Sequence, residues 1–118
     1  MHVNEMENEI LHLIALKQEG GYWDFKREWH HDLTDLLHDI ICMANNLENK
    51  DAYIIIGIDE ANDFKVIDIT NDPNRKSTHL IVDFLRNKKF AGGIRPTVYV
   101  QPIVIYSNTI DVLVVKND

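Results

Sequence analysis

Residues 52–60, AYIIIGIDE, decide the fold because they form a short run that is apolar and largely β-branched up to its acidic end. A run of this length and composition predicts a central strand that is buried on both faces. The polar loop NLENKD at 46–51 precedes it, and EANDF at 60–64 turns the chain. We therefore expect KVIDI at 65–69 to return as a hairpin partner of the buried strand.

The segment before this strand predicts a helix, a second strand and another helix. Apolar residues between 5 and 18 recur near helical spacing, and the glycine pair at 20–21 ends that helix. From Tyr22 onward the period changes to two, which is typical of a strand whose faces alternate. Asp32 stands at an N-cap position ahead of an amphipathic run, so we predict a helix over 32–47.

The last third of the chain predicts one more helix and two strands. Ser77 is placed to cap a helix that stops before AGG at 91–93, and two apolar runs flank a turn at residues 107–108. Pro102 cannot donate to a β-ladder, so it belongs at an edge or a bulge. The resulting order α-β-α-β-β-α-β-β predicts an α+β domain in which three helices pack on a mixed β-sheet.

The composition indicates a single globular domain over residues 1–118, compatible with the N-terminal part of a longer protein. The chain has 118 residues, of which 45% are hydrophobic and 26% charged. Cys42 is the single cysteine, which excludes an internal disulfide and a Cys-rich zinc site, and we expect it to be a small buried hydrophobe. No apolar run reaches the roughly 20 residues of a membrane span, so we predict a cytoplasmic protein without a membrane partner.

The net charge of −7 argues against nucleic-acid binding, because such proteins usually carry a basic footprint. A local stripe of cations can still attract a polyanion. Trp29 is a candidate for stacking on an unpaired base. The candidate phosphate contacts, for which scattered surface cations are the alternative interpretation, are Lys26, Arg27, Arg75, Lys76, Lys88, Lys89 and Arg95.

Three carboxylates fall at informative places in the predicted elements. Glu19 ends the first helix, Asp24 lies within the next strand and Asp59 leaves the buried strand. If the two strands pair side by side, these groups converge, and a cation must then compensate their repulsion. Mg²⁺ or Mn²⁺ and the ammonium of Lys26 are the candidates, a combination that activates water at a phosphodiester. The alternative is a solvated strand face and an ordinary acidic turn.

Four histidines raise a separate possibility, a zinc site built from His12, His30, His31 and His38. Adjacent histidines point in different directions and rarely share one metal. Solvated or hydrogen-bonded histidines are therefore the favoured interpretation.

The pieces Glu19, DFK at 24–26, AN at 44–45 and GID at 57–59 resemble, in order and spacing, the Schlafen AlbA-type domain over roughly residues 15–116. This resemblance implies nucleic-acid binding, in bacteria as part of larger regulators. Some animal members are endoribonucleases, and the resemblance to them implies a catalytic and metal-binding role for Glu19, Asp24 and Asp59. Those enzymes use two lobes that form a basic groove, which implies that a single copy would have to dimerise.

This chain departs from the family pattern at two places. Asp24 stands where the family usually has a longer Glu, and the loop at 46–52 lacks the usual glycines and carries Glu48 and Asp51. We therefore carry three hypotheses: a module of a regulator or defence protein that binds RNA or DNA, a metal-dependent endoribonuclease, and a protein-interaction domain without nucleic-acid function.

Overall fold

The computed structural model describes residues 2–117, apart from the side chain of Ala91. It has three α-helices and a mixed sheet with a small additional hairpin, which confirms the predicted α+β class and element order. The helices are α1 (Val3–Ala15), α2 (Leu33–Ala44) and α3 (Thr78–Arg86). The strands are β1 (Trp23–Lys26), β2 (Ala52–Ile56), β3 (Ile58–Asp59), β4 (Lys65–Val66), β5 (Val98–Ile105) and β6 (Asn108–Val115).

The main sheet has four strands in the order β1-β2-β6-β5. Strand β1 runs parallel to β2, with Trp23 opposite Tyr53 and Lys26 opposite Ile56, and the other pairs are antiparallel. The predicted hairpin forms only with the end of the apolar run: β4 pairs with the short β3 that follows Gly57, whereas β2 itself pairs with β1 and β6. Every residue of β2 is buried, as its apolar run predicted.

The sheet lies between two helical layers, and alternation along the strands assigns each side chain to one of them. Helix α1 packs with Trp23, Phe25, Tyr53 and Ile55 in one hydrophobic cluster. Helices α2 and α3 cover the opposite face, whose cluster includes Ile54 and Ile56. Because Asp24 pairs with Ile54, Asp24 and Lys26 belong to the α2 side of the sheet, at its β1 edge.

Two helix caps and one turn test the local predictions. The side chain of Asp32 accepts a hydrogen bond from the Thr34 amide, and that of Ser77 accepts one from the Leu80 amide, so both predicted N-caps are confirmed. The β5–β6 turn falls one residue earlier than predicted, because Tyr106 and Ser107 adopt the positive φ angles of a two-residue hairpin loop.

Strand β5 is the edge strand that Pro102 requires. The amide of Val100 points away from β6 and donates to the Thr78 hydroxyl over 2.8 Å. Since Pro102 lies two residues further on, its missing amide falls on the same outer side. One outward donor is thus occupied and the next is absent, which discourages edge-to-edge pairing with another chain.

Asp111 is the buried carboxylate of the core, with 1% of its surface exposed. Its Oδ2 accepts hydrogen bonds from the Trp29 indole at 2.8 Å and from Arg75 Nε at 3.0 Å, and its Oδ1 accepts from Arg75 Nη2. These bonds raise the pKa of the Arg75 guanidinium. The network ties Trp29, in the loop between β1 and α2, to strand β6 and to Arg75, in the loop between β4 and α3.

Two sequence-based expectations need correction. Trp29 is fully buried, so its ring is not exposed to an unpaired base. Cys42 is exposed rather than buried, with its Sγ 3.7 Å from Nε2 of His38 one turn earlier on α2. The apolar face of α2 is carried by Leu36 and Ile40, which leaves Cys42 on the solvent side.

Among the helices of residues 2–117, none is long and apolar enough to cross a membrane.

We expect Asp111→Asn to lower the free energy of unfolding by about 2–3 kcal/mol, because a half-buried guanidinium and an indole N–H lose a charged acceptor. Asp63→Asn is the matched control. It removes an exposed ion pair with Lys17 and should cost less than about 1 kcal/mol. Urea denaturation measures both changes, and equal losses would mean that the buried network adds nothing.

Candidate functional site

Three carboxylates, from Glu19, Asp24 and Glu60, converge at the β1 edge of the sheet. One oxygen of each lies within 4.8 Å of the others. Asp24 is partly buried, whereas Glu19 and Glu60 are exposed. Among residues 2–117, these are the three side chains of the Asp, Glu, His and Cys types that the fold brings close enough together to share a metal ion.

Glu19 is positioned by the turn between α1 and β1. The Trp23 indole donates to the carbonyl of Gln18 over 2.8 Å, and the Gly20 amide donates to the carbonyl of Trp23. A Cβ on Gly20 would lie 2.1 Å from the Trp23 ring, so only glycine allows the ring to pack there. The backbone on both sides of Glu19 is therefore held against β1.

Glu60 is positioned by the break between β2 and β3. Gly57 has a φ of +119° and lies against Ile110, a conformation and a space that exclude a side chain. Its amide donates to the carbonyl of Lys26 and its carbonyl accepts from Ile67, so the break is bonded on both sides. The chain then enters a single 3-10 turn at residues 60–62.

Asp59, which the family resemblance assigns to the catalytic and metal site, lies outside this group of three carboxylates. Its Oδ2 is 3.6 Å from Nε of Arg27. Glu60, which the sequence suggested only as the start of a turn, takes the third place. The signal for Glu60 was its position beside Asp59, since neighbouring residues at a strand end point in different directions and either one can reach a site.

Lys26 lies between two carboxylates on the α2 side of the sheet. Its Nζ is 3.4 Å from Oδ2 of Asp24 and 3.2 Å from Oδ2 of Asp39 on α2. The same Asp39 oxygen is 2.7 Å from Nε2 of the buried His30. Lys26 is therefore held next to the cluster, although it is shared with Asp39.

The cluster is short of positive charge. The pKa of Glu60 is raised, first by burial of its carboxyl and then by a hydrogen bond and repulsion from Glu19, while Lys26 opposes the rise. Glu60 as a whole residue remains exposed. The contribution of Glu19 to the raised pKa is the one that depends on the convergence of the carboxylates.

The donor set suits a hard divalent cation. Mg²⁺ and Mn²⁺ prefer carboxylate oxygens, and three such groups within a few ångströms of each other need a compensating charge. Glu19, Asp24 and Glu60 are the residues that would hold the ion, and Lys26 is the nearest fixed cation. The geometry thus fits the predicted metal with one ligand exchanged.

Two of the predicted phosphate contacts have structural partners instead. Arg75 bonds the buried Asp111 through two nitrogens. Lys76 Nζ donates to the carbonyls of His30 and Asn74, each over 2.7 Å, and desolvation lowers its pKa. Lys76 therefore holds the loop between β4 and α3 to the segment after β1, and Arg75 holds the same loop to Asp111 on β6.

The remaining predicted cations divide between two ends of the sheet. Arg27 follows β1 and is exposed beside Asp59. Lys89 and Arg95 line a cleft beside Lys116, at the end where β2 begins and β6 finishes. Lys88 lies over the Phe84 ring at 4.8 Å. The stripe read from the sequence is therefore not continuous.

The histidines do not assemble a zinc site among the described residues. His30 is buried on Asp39, and its Nδ1 has no hydrogen-bond partner. His31 lies 3.8 Å from Glu28 at the surface, and His38 is beside Cys42.

A family model described as Schlafen, AlbA_2 matches residues 19–118. The match begins at the first carboxylate of the cluster and includes all six strands, α2 and α3. It confirms the resemblance read from the sequence. No curated protein and no solved structure matches the chain.

We expect Glu19→Gln to lower the pKa of Glu60 toward its ordinary value of 4.5, because the repelling charge is removed. A raised folded pKa means that ionisation opposes folding. The variant should therefore gain stability at neutral pH and lose that gain as the pH falls below the Glu60 pKa. Carboxyl NMR titration and denaturation at two pH values measure this, with Glu28→Gln as a control. An unchanged Glu60 titration would contradict the geometry.

Proposed function

Because the chain belongs to the Schlafen AlbA_2 family, we propose that it is a nucleic-acid-binding domain of a regulator or defence protein, with RNA or DNA as its partner. The family match over residues 19–118 carries this proposal. The family is associated with nucleic acids, and the coherent fold around the matched segments supports a domain of that type.

The exposed cation Arg27, beside Asp59, supports a binding surface at the β1 edge. Arg27 follows β1, and 67% of its side chain is exposed, with Asp59 as a loose partner at 3.6 Å. Surface ion pairs of this kind contribute little energy, so a phosphate can replace the carboxylate at small cost. Lys26 lies two residues from Asp24 on the same edge, where it offsets part of the negative charge of Asp24 and Asp39.

Binding should be sensitive to salt, and Arg27→Ala should weaken it about three- to tenfold while lowering the salt slope by about one. Arg86→Ala is a matched control, since Arg86 is also exposed and paired with an aspartate, Asp83, on α3. Fluorescence anisotropy with labelled RNA and DNA over a salt series measures both variants. An absence of binding by the unaltered protein at low salt would refute the proposal and leave the protein-interaction hypothesis.

A metal-dependent endoribonuclease is the second candidate, supported by the cluster of Glu19, Asp24 and Glu60. A divalent cation at these carboxylates would supply activation of water and neutralisation of charge. The residues of the chain would bind and orient it: Asp24 from the rigid strand β1, and Glu19 and Glu60 from turns fixed by glycines. Lys26 would place an ammonium near the phosphate, and Asp39 and His30 hold its position.

The exchange of Asp59 for Glu60 gives a sharp test of this candidate. With RNA and Mn²⁺, Asp24→Ala and Glu60→Gln should reduce cleavage about 100-fold or more, because several kcal/mol of charge stabilisation depend on the metal ligands. Asp59→Asn should retain most of the cleavage, since Asp59 contacts Arg27 instead.

The reverse pattern, with Asp59→Asn inactive and Glu60→Gln active, would mean that the family's usual third carboxylate serves this chain as well. Mn²⁺-induced broadening of NMR signals near residues 19, 24 and 60 separates loss of metal from loss of turnover. Cleavage that persists in Asp24→Ala would indicate a contaminating nuclease.

A measured molecular mass with and without RNA would test whether the active species is a homodimer.

A further inference from the structure

A cleft of about 520 Å³ lies at the end of the sheet where β2 begins and β6 finishes. Its walls are the C-terminal turn of α2, the segment 89–97 after α3, and the residues that follow β6. This volume falls within the range of about 300–1,000 Å³ in which proteins enclose small ligands or parts of larger ones.

One wall of the cleft is firmly built. Asp51 accepts hydrogen bonds from the Asn117 amide at 2.8 Å and from Lys116 Nζ at 3.2 Å. These bonds, led by that of the Asn117 amide, lower the pKa of the Asp51 carboxyl. Asn46 bonds the carbonyls of Met43 and Lys50 and accepts from two amides, which orders the loop beneath this wall.

The cleft carries positive charge in a strongly acidic chain. Lys89 and Arg95 are exposed in its lining, and Lys116 contributes a third cation, oriented by Asp51. No carboxylate occurs among its lining residues that the structure describes. Asp51 contributes one negative charge, and the C-terminal end of α2 contributes roughly half of one. Together they offset only part of the positive charge of the three cations.

Apolar side chains lie directly beside these cations. Ile94 is 74% exposed and Ile41 39% exposed, and the ring of Phe90 is half-buried in the same lining. Exposed apolar groups next to cations suit a ligand that combines phosphate charge with flat apolar faces. An unpaired nucleotide has both, whereas a duplex hides the faces of its bases by stacking.

We propose that this cleft binds a single-stranded segment of nucleic acid, with its phosphates at Lys89 and Arg95 and a base against Phe90 and Ile94. The inference rests on the proposed nucleic-acid function and adds a second contact surface at the far end of β2. It also makes single strands the preferred substrate class. Charge complementarity carries the choice of occupant.

Lys89→Glu in the full chain should weaken binding of a labelled 12-nucleotide oligo(U) about tenfold and lower the salt slope by about one or more, because a phosphate contact becomes a repulsion. Arg86→Glu is the matched control. It reverses a charge three residues away, but Arg86 pairs with Asp83 on α3 and does not line the cleft, so the loss should stay within about threefold.

Ile94→Ser should weaken the same binding a few-fold without changing the salt slope, because it removes a base contact and no charge. The same oligonucleotide annealed to oligo(A) should be much less affected by either change. Circular dichroism confirms that these exposed substitutions leave the fold intact.

Equal effects of Lys89→Glu and Arg86→Glu, or equal losses for single strand and duplex, would overturn the cleft proposal. In both cases binding by the unaltered protein, and its weakening by Arg27→Ala, would leave the proposed function standing. An unaltered protein that binds no nucleic acid would refute both proposals together.

Discussion

Burial of β2 on both faces is the constraint on which the rest of the structure depends. Ile54, Ile55 and Ile56 are completely buried, and each such side chain contributes about 1.5–3 kcal/mol by leaving water. Exposed ion pairs contribute about 0–1 kcal/mol each. Burial of the apolar strand therefore fixes the register of β1, and this register determines the positions of the charged residues Asp24 and Lys26.

This register explains why an acidic cluster exists at the edge of the sheet. Asp24 lies opposite Ile54 and faces the α2 layer, where Lys26 and Asp39 continue a chain of charges to the buried His30. Glu19 and Glu60 are brought to Asp24 by turns that depend on glycine. Burial of the Glu60 carboxyl and, after it, the hydrogen bond and repulsion from Glu19 raise the pKa of Glu60, so the cluster is an unfavourable arrangement that packing energy maintains. Such arrangements are more common at functional sites than elsewhere.

The distribution of positive charge is the feature on which a nucleic-acid function must rest in a chain with a net charge of −7. Arg75 and Lys76 serve the fold, by bonding Asp111 and two backbone carbonyls. Of the other predicted cations, Arg27, Lys88, Lys89 and Arg95 are exposed, and Lys89 and Arg95 line the cleft. The proposed contact with a single strand depends on this local positive charge, because a flexible strand can bend away from the carboxylates of an acidic surface.

The sequence by itself determined the fold class, the buried strand, both helix caps and the edge position of Pro102, because these depend on local spacing and local hydrogen bonds. It also brought Glu19 and Asp24 to attention, through their place on the elements beside a glycine turn. Only the tertiary structure showed that the carboxylate of Glu60 lies close to those of Glu19 and Asp24, because the positive φ of Gly57 redirects the chain by an angle that residue spacing does not encode. It alone placed Trp29 and Arg75 on the buried Asp111, whose partners lie 82 and 36 residues away.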